Sequence, residues 1–564
     1  MTSIDWLVIV AYLGILIVIV WRSSRHQDSS TDYFLAGRNI GWFAIGASIF
    51  ASNIGSEHVV GLAGQGATSG MAMAHWEMHA WVALMLGWFF VPFYYNSKVF
   101  TMPEFLEKRF NPAARWILSI VSLIAYVFTK VSVTVYAGAV VFNALLPELQ
   151  LSIGGLTLNA FWIGALTTVL LTGVYTIFGG MRAVLFTDAV QTIVLLLGAC
   201  SITYFGLKLL GGWGELVSFC QDNREEFKLW RPLSKDGVPW WKNDDFPWLG
   251  ILMASPIVGI WYWCTDQYIV QRTLAARNLT VARRGAIWGA FLKIWPVLIF
   301  LIPGLIAAAL HAKGEMVIPS DDSGELVGDQ VFPSMVATLL PTGLRGLVVG
   351  ALMAALMSSL SSLFNSTAAL FTVDVYQKLR PDASEKRLVS VGRFATCVVV
   401  GLGLLWIPVM PMISEGGLYV YLQSVQGYLA PPITAVFLLG LFNSRVNATG
   451  AVWGLAVGFT LGLGKLTIQA LFGENKIADP VLLAAIGDFN FLYFSGALFL
   501  VCVLTVLLAS RLSAPPDQER IRGLTYASVD KAELRASYTR GDLIATGICL
   551  LLIVAFYLYF SFWI

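Results

Sequence analysis

Charged side chains are scarce in this chain: they make up only 12% of its 564 residues, against 57% hydrophobic. With a mean hydropathy of +0.73, that excludes an ordinary water-soluble domain and points to an all-α integral membrane protein. Basic residues form no long runs, and a formal net charge of +2 gives no reason to expect a nucleic-acid partner. The six cysteines offer neither a disulfide framework nor a metal-ligand spacing. Cys200, Cys264, Cys397, Cys502 and Cys549 lie in apolar stretches and only Cys220 in a loop. HExxH and GxSxG are both missing, so an intramembrane hydrolase built on Glu57 or Glu77 with His58 has neither nucleophile nor metal pair, and no enzyme is expected. Soluble domains and low-complexity tracts are also missing, and the only linker is the segment 511–539.

What is present is a series of apolar stretches, each long enough to cross a bilayer at roughly 1.5 Å per residue. They fall at 4–21, 40–66, 70–97, 115–145, 160–178, 184–208, 248–270, 284–311, 331–376, 389–411, 418–441, 447–471, 490–510 and 541–563, which makes fourteen spans. The ninth is too long for one straight crossing and calls for an outer turn before Leu344. Arg and Lys cluster in alternate loops, from Arg22, Arg25 and Arg38 through Arg272, Arg277, Arg283 and Arg284 to the 511–540 segment. By the positive-inside rule those loops are cytoplasmic and both termini face outside. The first stretch has no basic n-region or small-residue cleavage site and reads as a reverse signal anchor. Spans two to six and seven to eleven form two groups of five, and an odd number per group gives opposite membrane orientations, as in an inverted repeat. The whole of 1–564 thus reads as one transmembrane domain, with core repeats over about 40–208 and 248–441 and peripheral helices at 4–21, 447–471, 490–510 and 541–563.

Inside the second span stands Phe50-Ala51-Ser52-Asn53-Ile54-Gly55-Ser56-Glu57-His58. A charge in mid-membrane costs about 2.5–3.5 kcal/mol on insertion scales, so such a cluster lines a cavity. A helix broken there frees backbone carbonyls for ion coordination, as secondary transporters use them. In the ninth span Ala355, Ser358 and Ser359 sit at i, i+3 and i+4 and share one helix face. One carbonyl and two hydroxyls there can serve a cation, or the small face can serve close helix packing. Polar residues isolated in other apolar spans are Glu77, Lys130, Asp188, Lys293 and Gln423.

Six separated segments resemble the sodium:solute symporter family, and most closely its sodium/glucose cotransporter branch. They are FASNIGSEHVVGLAG at 50–64, FTMPEFLEKRF at 100–110, YTIFGGMRAVLFTDAVQT at 175–192, WYWCTDQYIVQR at 261–272, LMSSLSSLFNS at 356–366 and YLAPPITAVFLLGLF at 428–442. The resemblance implies a LeuT-type fold: two inverted five-helix repeats with one helix before them and three after. It implies sodium ions as the coupling species, with a first site at Ala51, Ile54, Ala355, Ser358 and Ser359 and a second at Asp188, Ser361 and Ser362. It also implies a substrate site of Asn53, His58, Glu77, Tyr262, Trp263, Lys293 and Gln423, with gates at Trp76, Tyr262 and Tyr419.

A neutral polyol needs mixed donors and acceptors and an aromatic platform without net charge. Glu77 compensated by Lys293, with Asn53, His58 and Gln423 beside Tyr262 and Trp263, supplies that set. The expected function is therefore sodium-coupled uptake of a hexose such as glucose or galactose, with two sodium ions per sugar. Another polar solute (myo-inositol or sialic acid) is the alternative, and a non-transporting sugar sensor is a further one, for which no fused signalling domain is present. Gly259 departs from the pattern, since sugar-transporting relatives often carry a polar side chain there.

Other residues have plainer expected roles. Lys130 is read as structural, by snorkelling or by bonding carbonyls, and Asp266 and Arg272 as a cytoplasmic-side pair. Asp188 has Arg182 as its alternative partner. His75 and His79 are read as packing or outer-surface groups, and Trp230, Trp240, Trp241 and Trp248 as an interfacial anchor. The expected partners are the sugar, sodium and the lipid bilayer, with no obligatory protein partner. The expected location is a plasma membrane, a bacterial inner membrane in particular: the loops are short, and the sequons at Asn278 and Asn447 fall in cytoplasmic loops.

Overall fold

The computed structural model describes residues 2–564 apart from 25–26, 154–155, 236, 244, 322–323, 410–417 and 474–475, and only the backbone of 153, 156, 409, 418–421, 531 and 533. Helix dominates, as it must where no water is available to satisfy backbone N–H and C=O groups. The described residues hold one antiparallel hairpin, Leu151–Ile153 with Leu156–Leu158.

Twelve helical stretches among the described residues are long and apolar enough to cross a membrane. Two of these are kinked at glycines. The 51-residue stretch Ala160–Leu210 turns at Gly180, where φ is 55° and ψ −163°. A Cβ at Gly180 would lie 2.8 Å from the Tyr33 carbonyl. The spans expected at 160–178 and 184–208 are therefore joined by a single bent residue rather than by a loop. Ser56–Asn96 likewise turns at Gly70, φ 60°, against the backbone of Phe227, whose Cα would sit 2.4 Å from a Cβ. The outer turn expected before Leu344 is present: helix Gly328–Leu339 ends at Leu340, and Leu344–Ala369 begins after Gly343.

Leu344–Leu379 is the central element, with 94% of its most apolar window buried, whereas Ser3–Ser23 and Arg540–Phe562 are peripheral at 22% and 17%. Their exposed leucines and isoleucines suit lipid contact. Asp5 ties the first helix to the central one by accepting from the Gly343 and Gly346 amides at 2.8 and 2.9 Å. Small residues allow close helix approach: between Trp42–Asn53 and Leu279–Lys293, a Cβ on Gly46 would meet the Gly285 carbonyl at 2.6 Å.

Among the described residues, extended backbone interrupts two helices in mid-course. The first break is at Ile54 (φ −91°, ψ 91°) and Gly55 (φ −90°, ψ −179°), between Trp42–Asn53 and Ser56–Ser69. The second is at Asp266 (φ −79°, ψ 127°), between the π-helical turn Trp261–Thr265 and Gln267–Leu274. Another π-helical turn, Tyr126–Val131, carries Lys130 toward this second break. Such turns are frequent at functional sites.

Candidate transport site

The first break leaves carbonyls exposed to partners other than the helix. Among the described residues, no backbone amide pairs with the carbonyls of Ala51, Ser52, Asn53 or Ile54. Ser358 Oγ donates to Ala51 O at 2.8 Å and to Ala355 O at 3.0 Å. Ser359 Oγ donates to Ser52 O at 3.1 Å. The structure thus joins Ala51, Ala355 and Ser358 directly and sets Ser359 on the next carbonyl, while Ile54 stands at the break itself. A small oxygen cage of this kind suits a hard monovalent cation.

Beside it lies a second polar network. Asp188 is fully buried and accepts from Ser48 Oγ at 2.5 Å. Ser362 Oγ and Ser52 Oγ are 2.7 Å apart, and Arg272 Nε donates to Ser52 Oγ at 3.1 Å. Ser361 Oγ donates to the Ser358 carbonyl at 3.1 Å. Arg182, the alternative partner for Asp188, is exposed, and the cation in this polar network is Arg272, which reaches it through Ser52 Oγ. Ser48 lies outside the polar run at 50–58, and Ser52 is marked in the sequence only as a member of that run. Serines on a helix face look alike whether they pack or ligate.

On the other side of the break, Asn53 Nδ2 donates to Tyr262 OH at 3.2 Å. Tyr262 and Trp263 rings meet edge to face at 5.3 Å. The Lys293 ammonium lies 5.8 Å from the Trp263 ring centre and 2.6 Å from Glu77 Oε2, with both side chains buried. His58 is buried, with Nδ1 3.6 Å from Glu57 Oε1. Gln423 is buried in Leu418–Phe442. Asn53 Oδ1, Gln423 Oε1 and the Trp76 indole N–H have no hydrogen-bond partner among the described residues. Buried polar atoms are normally paired, so each of these three has capacity for a further partner. The side chain of Tyr419 lies outside the described residues.

Three structural expectations change. Asp266 pairs with Lys130 and not with Arg272: the Lys130 ammonium meets Asp266 Oδ2, and Tyr126 OH donates to Asp266 Oδ1. Four rings, Tyr126, Trp261, Tyr262 and Tyr268, surround that ammonium with centres 4.8–5.0 Å away. Cation–π contact in a desolvated site adds to the ion pair, so Lys130 neither snorkels nor caps carbonyls. Arg272 instead donates to the Tyr268 carbonyl. His79, read as a packing group, bonds Ser255 Oγ at 2.5 Å through Nε2 and abuts Gly259. His75 packs on Trp230 and Tyr557.

A model of the sodium:solute symporter family matches residues 33–458. The chain belongs to that family. It is 40% identical over 546 residues to the human (Homo sapiens) sodium/myo-inositol cotransporter 2, which covers 93% of this chain and 78% of that one. It is 37% identical over 547 residues to sodium/glucose cotransporter 4 of Danio rerio, covering 92% and 80%. Among solved structures, the substrate-bound outward-open form of a sodium-coupled sialic acid symporter superposes with a TM-score of 0.76 at 22% identity, covering 92% of this chain and 99% of that one. That likeness shows the fold, which is LeuT-type. The protein is a multi-pass, sodium-coupled solute symporter and not an enzyme.

Proposed function

We propose that this symporter imports a neutral sugar, a hexose such as glucose or galactose, by alternating access. The observation that carries the reading is the closed Glu77–Lys293 pair, 2.6 Å across, and buried neutral groups of the expected substrate site, with unused capacity, support a neutral ligand. A carboxylated substrate needs a cation that is not already matched, and Lys293 is matched by Glu77. Asn53 Oδ1 and Gln423 Oε1 are acceptors, the Trp76 indole is a donor, and none carries charge. Tyr262 and Trp263 offer an aromatic surface to a CH-rich ring face. Myo-inositol is the second reading, because it presents the same neutral ring of hydroxyls and relatives are named for each solute.

Sodium would take the cage of Ala51, Ile54, Ala355, Ser358 and Ser359, and a second ion would engage Asp188 with Ser361 and Ser362. The two helix breaks open corresponding members of the two five-helix groups, which supports inverted repeats over about 40–208 and 248–441. Divided at Gly70 and Gly180, the long stretches are compatible with fourteen crossings and both termini outside, in a bacterial inner membrane. The test is uptake of labelled glucose, galactose, myo-inositol and sialic acid into proteoliposomes under inward sodium or potassium gradients. Sodium-dependent uptake of a hexose is the expected result; uptake of sialic acid alone overturns the neutral-substrate reading.

A further inference from the structure

The Ser52 carbonyl, freed by the first break, receives two hydroxyl donors from different parts of the chain. One is Ser359 Oγ at 3.1 Å; the other is Tyr268 OH. Tyr268 belongs to the first turn of Gln267–Leu274, directly after the second break. Its backbone amide is held there by Tyr126 OH at 3.1 Å and Asp266 Oδ1 at 3.2 Å. The ring is buried against Tyr262 at 6.0 Å and against the Lys130 ammonium at 4.8 Å. The backbone of Tyr268 is therefore fixed at one broken helix and its hydroxyl at the other.

The chemistry of the two serines differs in a way that makes this contact matter. A hydroxyl ligates a cation with its lone pairs, so its proton needs an acceptor that is not itself a ligand. Ser358 donates to Ala51 O, a carbonyl in the sodium cage, and has to turn its proton away when the ion binds. Ser359 donates to Ser52 O, which lies outside the cage, so its lone pairs are already free to face the ion. The position of the Ser52 carbonyl thus sets the orientation of Ser359, and the Tyr268 hydroxyl holds that carbonyl.

We propose that Tyr268 is a positioning residue for sodium coupling, through the Ser52 carbonyl that orients Ser359. The ion is then held well only while Gln267–Leu274, the arm that follows Tyr262 and Trp263 in the chain, is docked on the first break. Outward movement of that arm removes the second donor from Ser52 and loosens the cage, which links release of sodium to opening on that side. This inference rests on the sodium cage proposed above.

The test is binding of radioactive sodium to the purified full-length protein, wild type, Tyr268→Phe and Ser359→Ala, with no organic substrate present. Phenylalanine keeps the ring against Tyr262 and Lys130 and removes only the hydroxyl. Tyr268→Phe is expected to weaken sodium binding roughly threefold to tenfold, the loss of one buried hydrogen bond. Maximal uptake of the labelled solute at saturating sodium should stay near wild type. Wild-type sodium affinity in Tyr268→Phe, with affinity lost in Ser359→Ala, overturns the role of Tyr268 and leaves the cage standing. Wild-type affinity in Ser359→Ala overturns the cage and this inference with it. A Tyr268→Phe protein that loses only maximal rate or folded yield gives Tyr268 a structural role and overturns the proposal.

Discussion

Lys293 Nζ lies 2.6 Å from Glu77 Oε2, and the two side chains are only 3% and 1% exposed. Opposite charges this far from water tolerate each other's presence and not each other's absence. Deleting one partner of a buried pair costs about 3–5 kcal/mol, because the survivor is left uncompensated. Lys293→Ala should therefore abolish uptake and lower thermal stability together. Adding Glu77→Ala should restore much of the stability without restoring uptake, as read by melting in detergent and by proteoliposome assays. If the double variant is as unstable as the single one, the pair is not what burial of Glu77 depends on.

Gln423 offers a contrast, since its carbonyl oxygen has no partner among the described residues. Gln423→Ala removes a prospective contact and strands nothing. Sugar binding should weaken by roughly 1–3 kcal/mol, about five- to 150-fold, while sodium binding and stability stay as in wild type. Calorimetric titration with the transported sugar checks this, and unchanged affinity would remove Gln423 from the pocket.

The sequence made some of this legible and not the rest, for physical reasons. The break at Asn53–Ser56 shows as a polar run in an apolar span, because lipid permits no other meaning. Glu77 and Lys293 were paired on the same ground, as two opposite charges that each need a partner in hydrocarbon. Lys130 and Asp266 escaped that logic because Arg272, six residues from Asp266, looked like the nearer cation. The chain direction changes at Asp266, where the extended backbone turns its carboxylate toward Lys130 on a π-helical turn. Hydrophobic periodicity carries no sign of either event. The roles of Ser48, Ser52 and Tyr268 are not legible in the sequence, because hydroxyls on a helix face are spaced alike for packing and for coordination. The division at Gly180 is legible as the gap between the apolar stretches 160–178 and 184–208, whereas its being made by one residue inside a continuous helical stretch is not.

His79 and Gly259 make a joint prediction about selectivity. A Cβ on Gly259 would press on His79 Cε1 at 3.1 Å and Nδ1 at 3.2 Å, so the imidazole occupies the space beside this glycine. Gly259→Ser should displace the ring from Ser255, where Nε2 now bonds at 2.5 Å, and should reduce uptake several-fold. His79→Asn in the same chain relieves the crowding, so the double variant should recover uptake, with a changed preference between glucose and myo-inositol. Additive losses in the two changes, measured as kcat/KM for both solutes, would show that the residues act independently.

A second sodium ion at the buried carboxylate of Asp188 would raise how strongly transport can concentrate its solute. It accepts from Ser48 at 2.5 Å, and Ser52, Ser362 and Arg272 complete the surrounding network. If this network takes a second sodium ion, each ion entering down about 100 mV contributes roughly 2.3 kcal/mol from the potential alone, and two ions square the accumulation ratio available from one. Asp188→Asn keeps the shape and the acceptor oxygen for Ser48 but removes the charge. It should lower the cooperativity of sodium activation while the cage at Ala51, Ser358 and Ser359 still binds one ion. Reversal potentials in proteoliposomes should give two sodium ions per sugar for wild type and a value falling toward one for the variant. A wild-type ratio of one would leave Asp188 as a buried structural member of the network it shares with Ser48, and then Asp188→Asn should act on stability instead, by weakening that buried hydrogen bond.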